Sequence, residues 1–310
     1  MDLNVCGLRS DLKLRPGPSG LHLFDRRTGL NILLDEVRIP PAKWARAPRY
    51  VSVALTNACD LACPYCYASK TPAALDATKL SKWLRELDEN GCLGVGFGGG
   101  EPTLHRQFIE ICRDAAEKTR LAVTFTTHAH RINAAYRDKL RGGVHYVRVS
   151  VDGIGATYES LRGKPFDDLL ARLATIRELS PFGINFVVNG RTLPELDSAI
   201  ELADEFGATE FLLLPQRPAE GSGGIDPVTL NRLHAWIERY RGKIPLAISE
   251  CYSETIACDR TNCERGLRAY AHIDASGFLK RSSYDQRGIL IDGRGAMEAL
   301  RQLENWPTEG

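Results

Sequence analysis

From Tyr50 onward, short runs of apolar residues alternate with longer stretches in which apolar residues recur every three or four positions. A short apolar run between turn residues is typical of a buried strand, and the wider spacing predicts an amphipathic helix. The predicted strands span residues 50–56, 93–97, 121–126, 146–151, 184–188, 210–214 and 244–248. The predicted helices lie around 80–87, 108–116, 134–140, 166–179, 194–206 and 227–240, and the strand at 244–248 is expected to be the last.

This alternation predicts six consecutive strand–helix units. Because crossovers between parallel strands are right-handed and lay helices on the sheet, we expect an α/β protein built on a partial (βα)6 barrel of parallel strands. Six units are too few for a closed eightfold barrel, so one side is expected to be open. In such a fold the functional residues follow the carboxyl ends of the strands.

Two shorter regions flank the predicted barrel, which is assigned to residues 50–248. Residues 1–49 form an accessory arm in which 20–24 and 30–34 are expected to pair as a hairpin around a glycine-containing loop. This hairpin either caps the barrel mouth or offers an edge to which a peptide adds as a further strand. Residues 249–310 are predicted to be a small cysteine-rich extension.

Composition narrows the class of protein. The 310 residues are 43% hydrophobic and 25% charged, which is ordinary for a globular chain. The formal net charge of +1 indicates no basic surface for nucleic acid or an anionic membrane. The first residues lack the pattern of a secretory signal, and no apolar run reaches the length of a membrane span. We therefore expect a cytoplasmic protein with neither a nucleic-acid nor a membrane partner.

The nine cysteines are unevenly distributed. Six of them fall into two clusters, which in a long chain favours metal binding in a reducing compartment over a disulfide framework. Cys92 and Cys112 stand alone among apolar neighbours and are interpreted as core residues. Cys6 stands alone in the arm and is interpreted as inert.

The first cluster, Cys59-x3-Cys63-x2-Cys66, directly follows the predicted strand at 50–56. Three thiolates on one loop fall short of a structural zinc site, which takes four ligands. They suit a cubane iron–sulfur cluster, in which each cysteine holds one iron and the fourth iron stays open. By its spacing alone, the motif leaves a generic metal site as the alternative.

Neighbouring residues match a known family. Tyr65 precedes the third cysteine, and Gly-Gly-Gly-Glu-Pro at 98–102 follows the next predicted strand. With these motifs the chain resembles the radical S-adenosylmethionine (SAM) superfamily. The resemblance implies a [4Fe–4S] cluster on the three cysteines that binds SAM, with a plain turn as the alternative for the glycines. The residues that it assigns to the methionine end of SAM are Gly99, Gly100 and Glu101, with Tyr65 beside the cluster.

Ser-x-Asp-Gly at 150–153 and Arg-Gly at 162–163 are a mark of the peptide-modifying and related branch of this superfamily. The resemblance places Ser150, Asp152 and Arg162 at the SAM site, where Ser150 and Arg162 contact the carboxylate or the ribose. A guanidinium suits this role because its planar fork pairs with a carboxylate through two hydrogen bonds. A surface salt bridge is the alternative for Arg162.

Other strand ends carry further candidates. Thr126 ends the third predicted strand, where a helix cap is its alternative role. Asn189 ends the fifth strand and Leu214 the sixth, at places that relatives use for the ribose and adenine of SAM. His128 departs from the Thr-Asn-Gly that relatives often carry, and it is a candidate acid or base facing the substrate.

The second cysteine cluster, Cys251-x6-Cys258-x4-Cys263, follows the predicted barrel. With the glycines beyond it, this region resembles the SPASM and Twitch extensions, which hold auxiliary iron–sulfur clusters. Relatives usually place a cysteine where this chain has Ser282, so the fourth ligand is undetermined: one iron stays open, or a residue from elsewhere such as Ser282 binds it. Because the sequence ends at Gly310, before a second full cysteine set, we expect at most one auxiliary cluster. A zinc site completed by a residue such as His272 is the alternative.

The resemblance implies reductive cleavage of SAM to methionine and a 5′-deoxyadenosyl radical that abstracts a hydrogen atom from the substrate. The first candidate substrate is a ribosomally synthesised precursor peptide, modified by cross-linking, epimerisation or oxidation. The second is a small molecule, as for a Twitch-type alcohol or amino-sugar dehydrogenase. The third hypothesis is a non-catalytic metal-binding scaffold. Either enzyme is expected to take its electron from a flavodoxin- or ferredoxin-type donor.

Overall fold

The computed structural model describes residues 12–219, 222–249 and 264–307. Their strands are β1 (Leu12–Gly17), β2 (Gly20–Asp25), β3 (Asn31–Leu34), β4 (Tyr50–Thr56), β5 (Gly94–Gly99), β6 (Ala122–Thr127), β7 (Tyr146–Ser150), β8 (Phe182–Val188), β9 (Glu210–Pro215), β10 (Leu246–Ile248), β11 (Tyr270–Ile273), β12 (Phe278–Lys280) and β13 (Ile289–Leu290). Their α-helices are α1 (Ala77–Glu89), α2 (Phe108–Lys118), α3 (Ala134–Leu140), α4 (Ala156–Arg162), α5 (Phe166–Arg177), α6 (Leu196–Phe206), α7 (Pro227–Arg239) and α8 (Ala296–Glu304). Short 3₁₀ helices cover Pro41–Lys43, Pro102–Leu104, Leu193–Glu195 and Gly266–Arg268.

The main sheet has the order β10-β9-β8-β7-β6-β5-β4-β11-β12-β13, and all pairs from β10 to β11 are parallel. This confirms the predicted α/β partial barrel, with strands at all seven predicted places. One face of the sheet is buried against the helices, as Val51, Val53 and Leu55 on β4 show. The other face alternates with it and is only partly buried, and we call it the lumen face.

The prediction that residues 244–248 form the last strand is wrong. Three strands follow β10, and the first of them, β11, pairs in parallel with β4 so that Tyr270 lies opposite Tyr50. Strands β12 and β13 then continue the sheet in antiparallel pairs. These strands have two to four residues, too short for an apolar run to identify. The sheet therefore continues into the region that was assigned to the extension.

The arm forms a three-stranded antiparallel sheet in the order β1-β2-β3. The predicted hairpin is β2–β3, while β1 was not predicted. The residues of β1 that point inward are Lys13 and Arg15, and these are 2% and 1% exposed. Because charged residues occupy its buried face, β1 shows the reverse of the usual pattern.

A buried ion pair joins this small sheet to the carboxyl-terminal region. Arg15 donates from Nε and Nη2 to the two carboxylate oxygens of Glu264 at 2.9 and 2.8 Å. Arg49 donates to the same carboxylate at 3.2 Å. Burial would raise the pKa of Glu264, but the hydrogen bond and charge of Arg15, then the charge of Arg49, lower it overall. The carboxylate is therefore held in its charged form.

None of the helices in the described part of the chain is both long enough and apolar enough to cross a bilayer.

Candidate active site

The first cysteine cluster lies on the loop between β4 and α1, at the carboxyl end of β4. Cys59, Cys63 and Cys66 are free thiols, each partly accessible. Cys66 donates from its backbone nitrogen to the carbonyl oxygen of Cys63 at 3.2 Å, which forms a turn at the end of the motif. The three sulfur atoms therefore lie at the edge of the sheet where parallel barrels bind their ligands.

Gly99 and Gly100 lie where β5 ends, against the backbone that enters the cysteine loop. Gly99 has a φ of +127°, and a Cβ atom there would lie 2.2 Å from the carbonyl oxygen of Thr56. A Cβ atom on Gly100 would lie 2.2 Å from the carbonyl oxygen of Ala58. Glycine is therefore required at both positions for the two chain segments to approach each other.

Glu101 ties the end of β5 to the end of β6. Its carboxylate is 1% exposed and accepts hydrogen bonds from Thr103 Oγ1 at 2.7 Å and Thr127 Oγ1 at 2.8 Å. The other oxygen accepts from the backbone nitrogen of His128 at 3.0 Å. The side chain thus has protein donors on both oxygens, and it fixes the position of the glycines that precede it.

His128 holds the cysteine loop rather than facing open solvent, since it is 4% exposed. Its Nδ1 accepts from the backbone nitrogen of His130 at 3.2 Å, so the proton lies on Nε2, which donates to Asp60 Oδ1 at 2.8 Å. Burial would raise the pKa of Asp60, but the hydrogen bond from His128 lowers it overall. Cys59 Sγ, an Asp60 oxygen and a His128 nitrogen lie within 4.8 Å of one another. The acid–base role of His128 stays a prediction.

Asp152 contacts two other residues that were predicted from sequence, Tyr65 and Arg162. One of its oxygens accepts from Tyr65 Oη at 2.6 Å and forms a salt bridge with Arg162. The other accepts from the backbone nitrogen of Val187 at 2.7 Å, which joins β7 to β8. Asp152 is 1% exposed and the Arg162 side chain 11% exposed, so this salt bridge lies inside the protein.

The charges of this group act on the cysteine loop. Arg162 Nη1 lies 3.6 Å from Cys63 Sγ. Burial raises the pKa of the Cys63 thiol, while the positive charge of Arg162 opposes the rise. Burial and the neighbouring charge of Asp152 raise the pKa of Tyr65, so its hydroxyl keeps its proton. Burial would lower the pKa of Arg162, but Asp152 raises it overall.

The remaining predicted residues also lie at strand ends. Thr126, Ser150 and Leu214 are half-buried near the carboxyl ends of β6, β7 and β9. Asn189 follows β8, and its side-chain oxygen accepts from the backbone nitrogens of Arg191 and Thr192 at 2.9 and 3.1 Å. Its amide nitrogen donates to Gln216 at 2.8 Å. Asn189 therefore shapes a turn at the site.

Sequence reasoning missed a group of polar residues on the lumen face. Arg148 on β7 forms a salt bridge with Glu210 on β9 and donates to Asn185 on β8 at 3.3 Å. Tyr50 on β4 reaches across β5 and bonds Thr124 on β6 at 2.9 Å. Both faces of a parallel strand are usually apolar. A predicted parallel strand with a polar side chain at every second position is therefore unusual, and this pattern would have identified these residues.

The second cluster cannot be placed, because Cys251, Cys258 and Cys263 lie outside the described residues. Two residues considered as their partners are described. Ser282 bonds Asp285 through its hydroxyl at 2.8 Å. His272 lies on β11, with Nδ1 2.7 Å from the hydroxyl oxygen of Ser52, and burial lowers its pKa to about 4. An auxiliary cluster on the three cysteines stays a prediction.

Comparison with known proteins identifies the domain that carries this site. Residues 53–203 match the model of the radical SAM superfamily, over the strands and loops that carry the first cysteine cluster and Asp152.

Residues 53–203 of the chain form a radical SAM domain.

Similar curated proteins include members with different substrates in their names. The AdoMet-dependent heme synthase of Methanosarcina barkeri is 32% identical over 61% of this chain and 58% of its own length. The mycofactocin maturase MftC of Mycolicibacterium smegmatis is 32% identical over 53% of this chain and 43% of its own. The PqqA peptide cyclase of Ruegeria pomeroyi is 31% identical over 54% and 47%. This chain therefore spans about half the length of the curated relatives that it matches.

Solved structures extend the similarity of fold beyond the superfamily match. Streptococcus suis SuiB bound to S-adenosylmethionine aligns with a TM-score of 0.73 over 91% of this chain and 84% of that chain, at 17% identity. At this identity the match shows the fold alone.

The radical SAM superfamily uses a [4Fe–4S] cluster and SAM. The site fits these groups on two observations. A guanidinium lies beside the sulfur of Cys63, where it stabilises a thiolate ligand. In addition, the Nε of Arg162 is buried without a hydrogen-bond partner among the residues that the structure describes. Buried donors are normally satisfied, so this atom points to an acceptor supplied by a bound group.

Proposed function

We propose that this chain is an enzyme that cleaves SAM reductively and abstracts a hydrogen atom from a ribosomally synthesised peptide. The observation that carries the proposal is the joining of Tyr65, Asp152 and Arg162 beside Cys63. This arrangement links the cysteine loop to the ends of β7 and β8, and it gives the loop a fixed position and a local positive charge.

In this proposal the chain's own residues bind and orient. Cys59, Cys63 and Cys66 hold the cluster, which when bound supplies the electron that cleaves SAM to methionine and a 5′-deoxyadenosyl radical. Gly99 and Gly100 allow backbone groups to approach the methionine end of SAM. Arg162 is assigned to its carboxylate or ribose together with Ser150.

Three further residues at strand ends complete the proposed SAM site. Asn189 and Leu214 are assigned to the ribose and adenine, and Thr126 is assigned to the SAM site without a particular partner. Glu101 and His128 fix the loops around the site through the hydrogen bonds described above.

A peptide substrate is supported by the names of two relatives, a maturase and a peptide cyclase. It is also supported by a fold neighbour whose solved complex contains its precursor peptide, SuiA. The Ser-x-Asp-Gly and Arg-Gly motifs of this chain favour the same branch. We further propose a cytoplasmic location and a flavodoxin- or ferredoxin-type electron donor, with neither nucleic acid nor membrane as a partner.

The cluster assignment is tested by anaerobic reconstitution and counting of iron and sulfide per chain. We expect about eight irons in the wild type and about four in the Cys59→Ala/Cys63→Ala/Cys66→Ala variant, because each cubane holds about four. About four irons falling to none would mean that Cys251, Cys258 and Cys263 hold no cluster. The wild type with SAM and dithionite should form 5′-deoxyadenosine, and the triple variant should form none.

The substrate class is tested by co-expression with short peptides encoded beside the gene, followed by mass spectrometry. A peptide that loses two hydrogen atoms only in the presence of the wild-type enzyme supports the proposal. Formation of 5′-deoxyadenosine that is stimulated by a small molecule and by none of the peptides would contradict it and favour the dehydrogenase alternative.

A further inference from the structure

Three side chains meet across the open side of the partial barrel. Tyr67 directly follows Cys66, Arg217 follows the carboxyl end of β9, and Tyr284 lies between β12 and β13. The rings of Tyr67 and Tyr284 lie with their centroids 4.3 Å apart, at an interplanar angle of 37°. The guanidinium carbon of Arg217 lies 3.9 Å from the centroid of the Tyr284 ring.

The sheet order explains why these contacts span an opening. Strands β4 and β9 are separated by four strands, and the two ends of the sheet are β10 and β13. Among the residues that the structure describes, no backbone pairing joins these ends. Tyr284, from the β13 end, contacts Tyr67 on the β4 side and Arg217 on the β9 side. Side chains therefore close a gap that backbone hydrogen bonds leave open.

These contacts are partly open to solvent, and Tyr67 also forms a hydrogen bond with Ser283. Tyr67 is 52% exposed, and Arg217 and Tyr284 are half-buried, so their attraction is partly screened by water. A ring that stacks between loops also offers its face to an incoming aromatic or cationic side chain. The group lies next to Cys66, so anything that enters the open side passes close to the cysteine loop.

We propose that Tyr67, Tyr284 and Arg217 form a clasp that controls access to the cysteine loop and opens to admit a segment of the peptide substrate. The choice of a peptide rests on the proposed function, whereas control of access does not. Tyr284 is the central residue because it makes both contacts. It acts by positioning and gating, and no bond is made or broken on it.

The test uses the full-length protein, reconstituted anaerobically, and measures release of iron to two chelators of different size. Bathophenanthroline disulfonate is bulky, and 2,2′-bipyridine is small. We expect Tyr284→Ala and Arg217→Ala to speed release to the bulky chelator about tenfold, the order expected for the loss of one partly desolvated cation–π contact. Release to the small chelator should change much less.

Two controls separate gating from general damage. Tyr284→Phe keeps the ring and should behave as the wild type. Arg287→Ala removes a different contact in the same segment, in which the guanidinium lies 5.8 Å from the Trp306 ring, and should also leave iron release unchanged. Arg217→Ala keeps the test decisive if Tyr284→Ala fails to fold.

Equal acceleration with both chelators would overturn the proposal, because it would indicate a weakened cluster rather than an opened path. Wild-type rates in both alanine variants would overturn it as well. The wild-type assay for 5′-deoxyadenosine is independent of these rates. If that assay fails while the bulky chelator still distinguishes the variants, the proposed function is wrong and the clasp stands.

Discussion

Asp152 is the residue on which the geometry of the site depends most. Its two oxygens contact the cysteine loop through Tyr65, helix α4 through Arg162 and strand β8 through Val187. A single buried carboxylate thus holds three separate segments in register. The charge matters as much as the shape, because it neutralises a guanidinium that is itself buried.

Asp152→Asn keeps the shape and removes the charge. We expect the free energy of unfolding to fall by about 3–5 kcal/mol, because the buried cation of Arg162 loses its partner. Anaerobic urea denaturation followed by circular dichroism measures the change. Asp292→Asn is the matched control, since Asp292 pairs with Arg294 at an exposed site. If both variants lose the same free energy of unfolding, the buried pair stabilises the protein no more than the exposed pair does.

His272 makes the stability of the folded protein depend on pH. Burial lowers its pKa from 6.5 to about 4 in the folded state. At this residue the unfolded chain therefore binds more protons between these pH values, so the contribution of His272 to stability falls as the pH falls through this window and is constant above it. The full effect is about 3 kcal/mol, since each pKa unit corresponds to about 1.4 kcal/mol.

His272→Gln should flatten this dependence. Melting temperatures of the anaerobic protein at pH 7 and pH 5 should differ less in His272→Gln than in the wild type. His234→Gln on the half-buried surface of α7 serves as the control. If the melting temperature of His272→Gln changes between pH 7 and pH 5 as much as that of the wild type, other groups cause the acid sensitivity.

At the residue scale the sequence was most informative where short motifs carry chemistry. The cysteine spacing, Tyr65, Asp152 and Arg162 were predicted as one site, and the structure brings them together. The tie from His128 to Asp60 was not predicted, because the two residues lie far apart in the chain and neither belongs to a motif that links them. Side-chain pairs of this kind become visible only when the strands are placed side by side.

Strand β5 carries only glycines on its lumen face, which leaves space for a side chain of the neighbouring strand. Gly94, Gly96 and Gly98 fall on its lumen face, opposite Tyr50, Ser52 and Ala54 of β4. The Tyr50 ring lies over this bare face to reach Thr124. Because β5 has no side chains on this face, Tyr50 on β4 can contact Thr124 on β6 across it.

Gly96→Ala tests this arrangement. The new Cβ atom would lie 1.7 Å from the Tyr50 hydroxyl oxygen, so the ring must move. We expect a loss of about 1–3 kcal/mol in the free energy of unfolding, as for other overpacked interiors. Gly98→Ala is the control on the same strand and face, because a Cβ atom there meets nothing within 4 Å. The explanation fails if both variants lose the same stability.

Helices and strands could be predicted where their buried faces are apolar. The parallel strands β4 to β9 were predicted because one face of each strand is a buried apolar row, as Val51, Val53 and Leu55 show on β4. Strand β1 escaped prediction because Lys13 and Arg15 fill its buried face. Helix α4 was not predicted because its N-cap is Gly155, which has no capping side chain, whereas α3 has the same length and is capped by Asn133.

At the scale of the whole molecule, a buried ion pair between Arg15 and Glu264 holds the arm against the carboxyl-terminal region. Arg15 donates to Glu264 from Nε and Nη2, and its Nη1 donates to the carbonyl oxygens of Ala47 and Gly91 at 3.0 and 2.7 Å. One side chain thus connects the small sheet, the start of the barrel and the carboxyl-terminal region. The sequence contains no motif for such a contact, since it joins residues from opposite ends of the chain.

Arg15→Met should loosen the arm. We expect a loss of about 3–5 kcal/mol in the free energy of unfolding, because Glu264 would keep a buried charge with a weaker partner. Hydrogen exchange measured by mass spectrometry should show faster exchange in β1 and β2 than in the wild type. Arg46→Met, at an exposed arginine that bonds Asn90, is the control and should not change exchange there. Uniform acceleration over the whole chain would argue against a local anchor.

The pairing of β11 with β4 has a consequence for how the chain folds as it is made. Strand β4 is complete at Thr56, but the segment that covers its outer edge begins only at Tyr270. Until that segment leaves the ribosome, the edge presents unpaired backbone groups to other nascent chains. Contacts between such distant segments also form slowly. A chain that stops before Tyr270 is therefore expected to keep the cysteine loop yet aggregate during synthesis, and chaperones should associate with the wild type late in its translation.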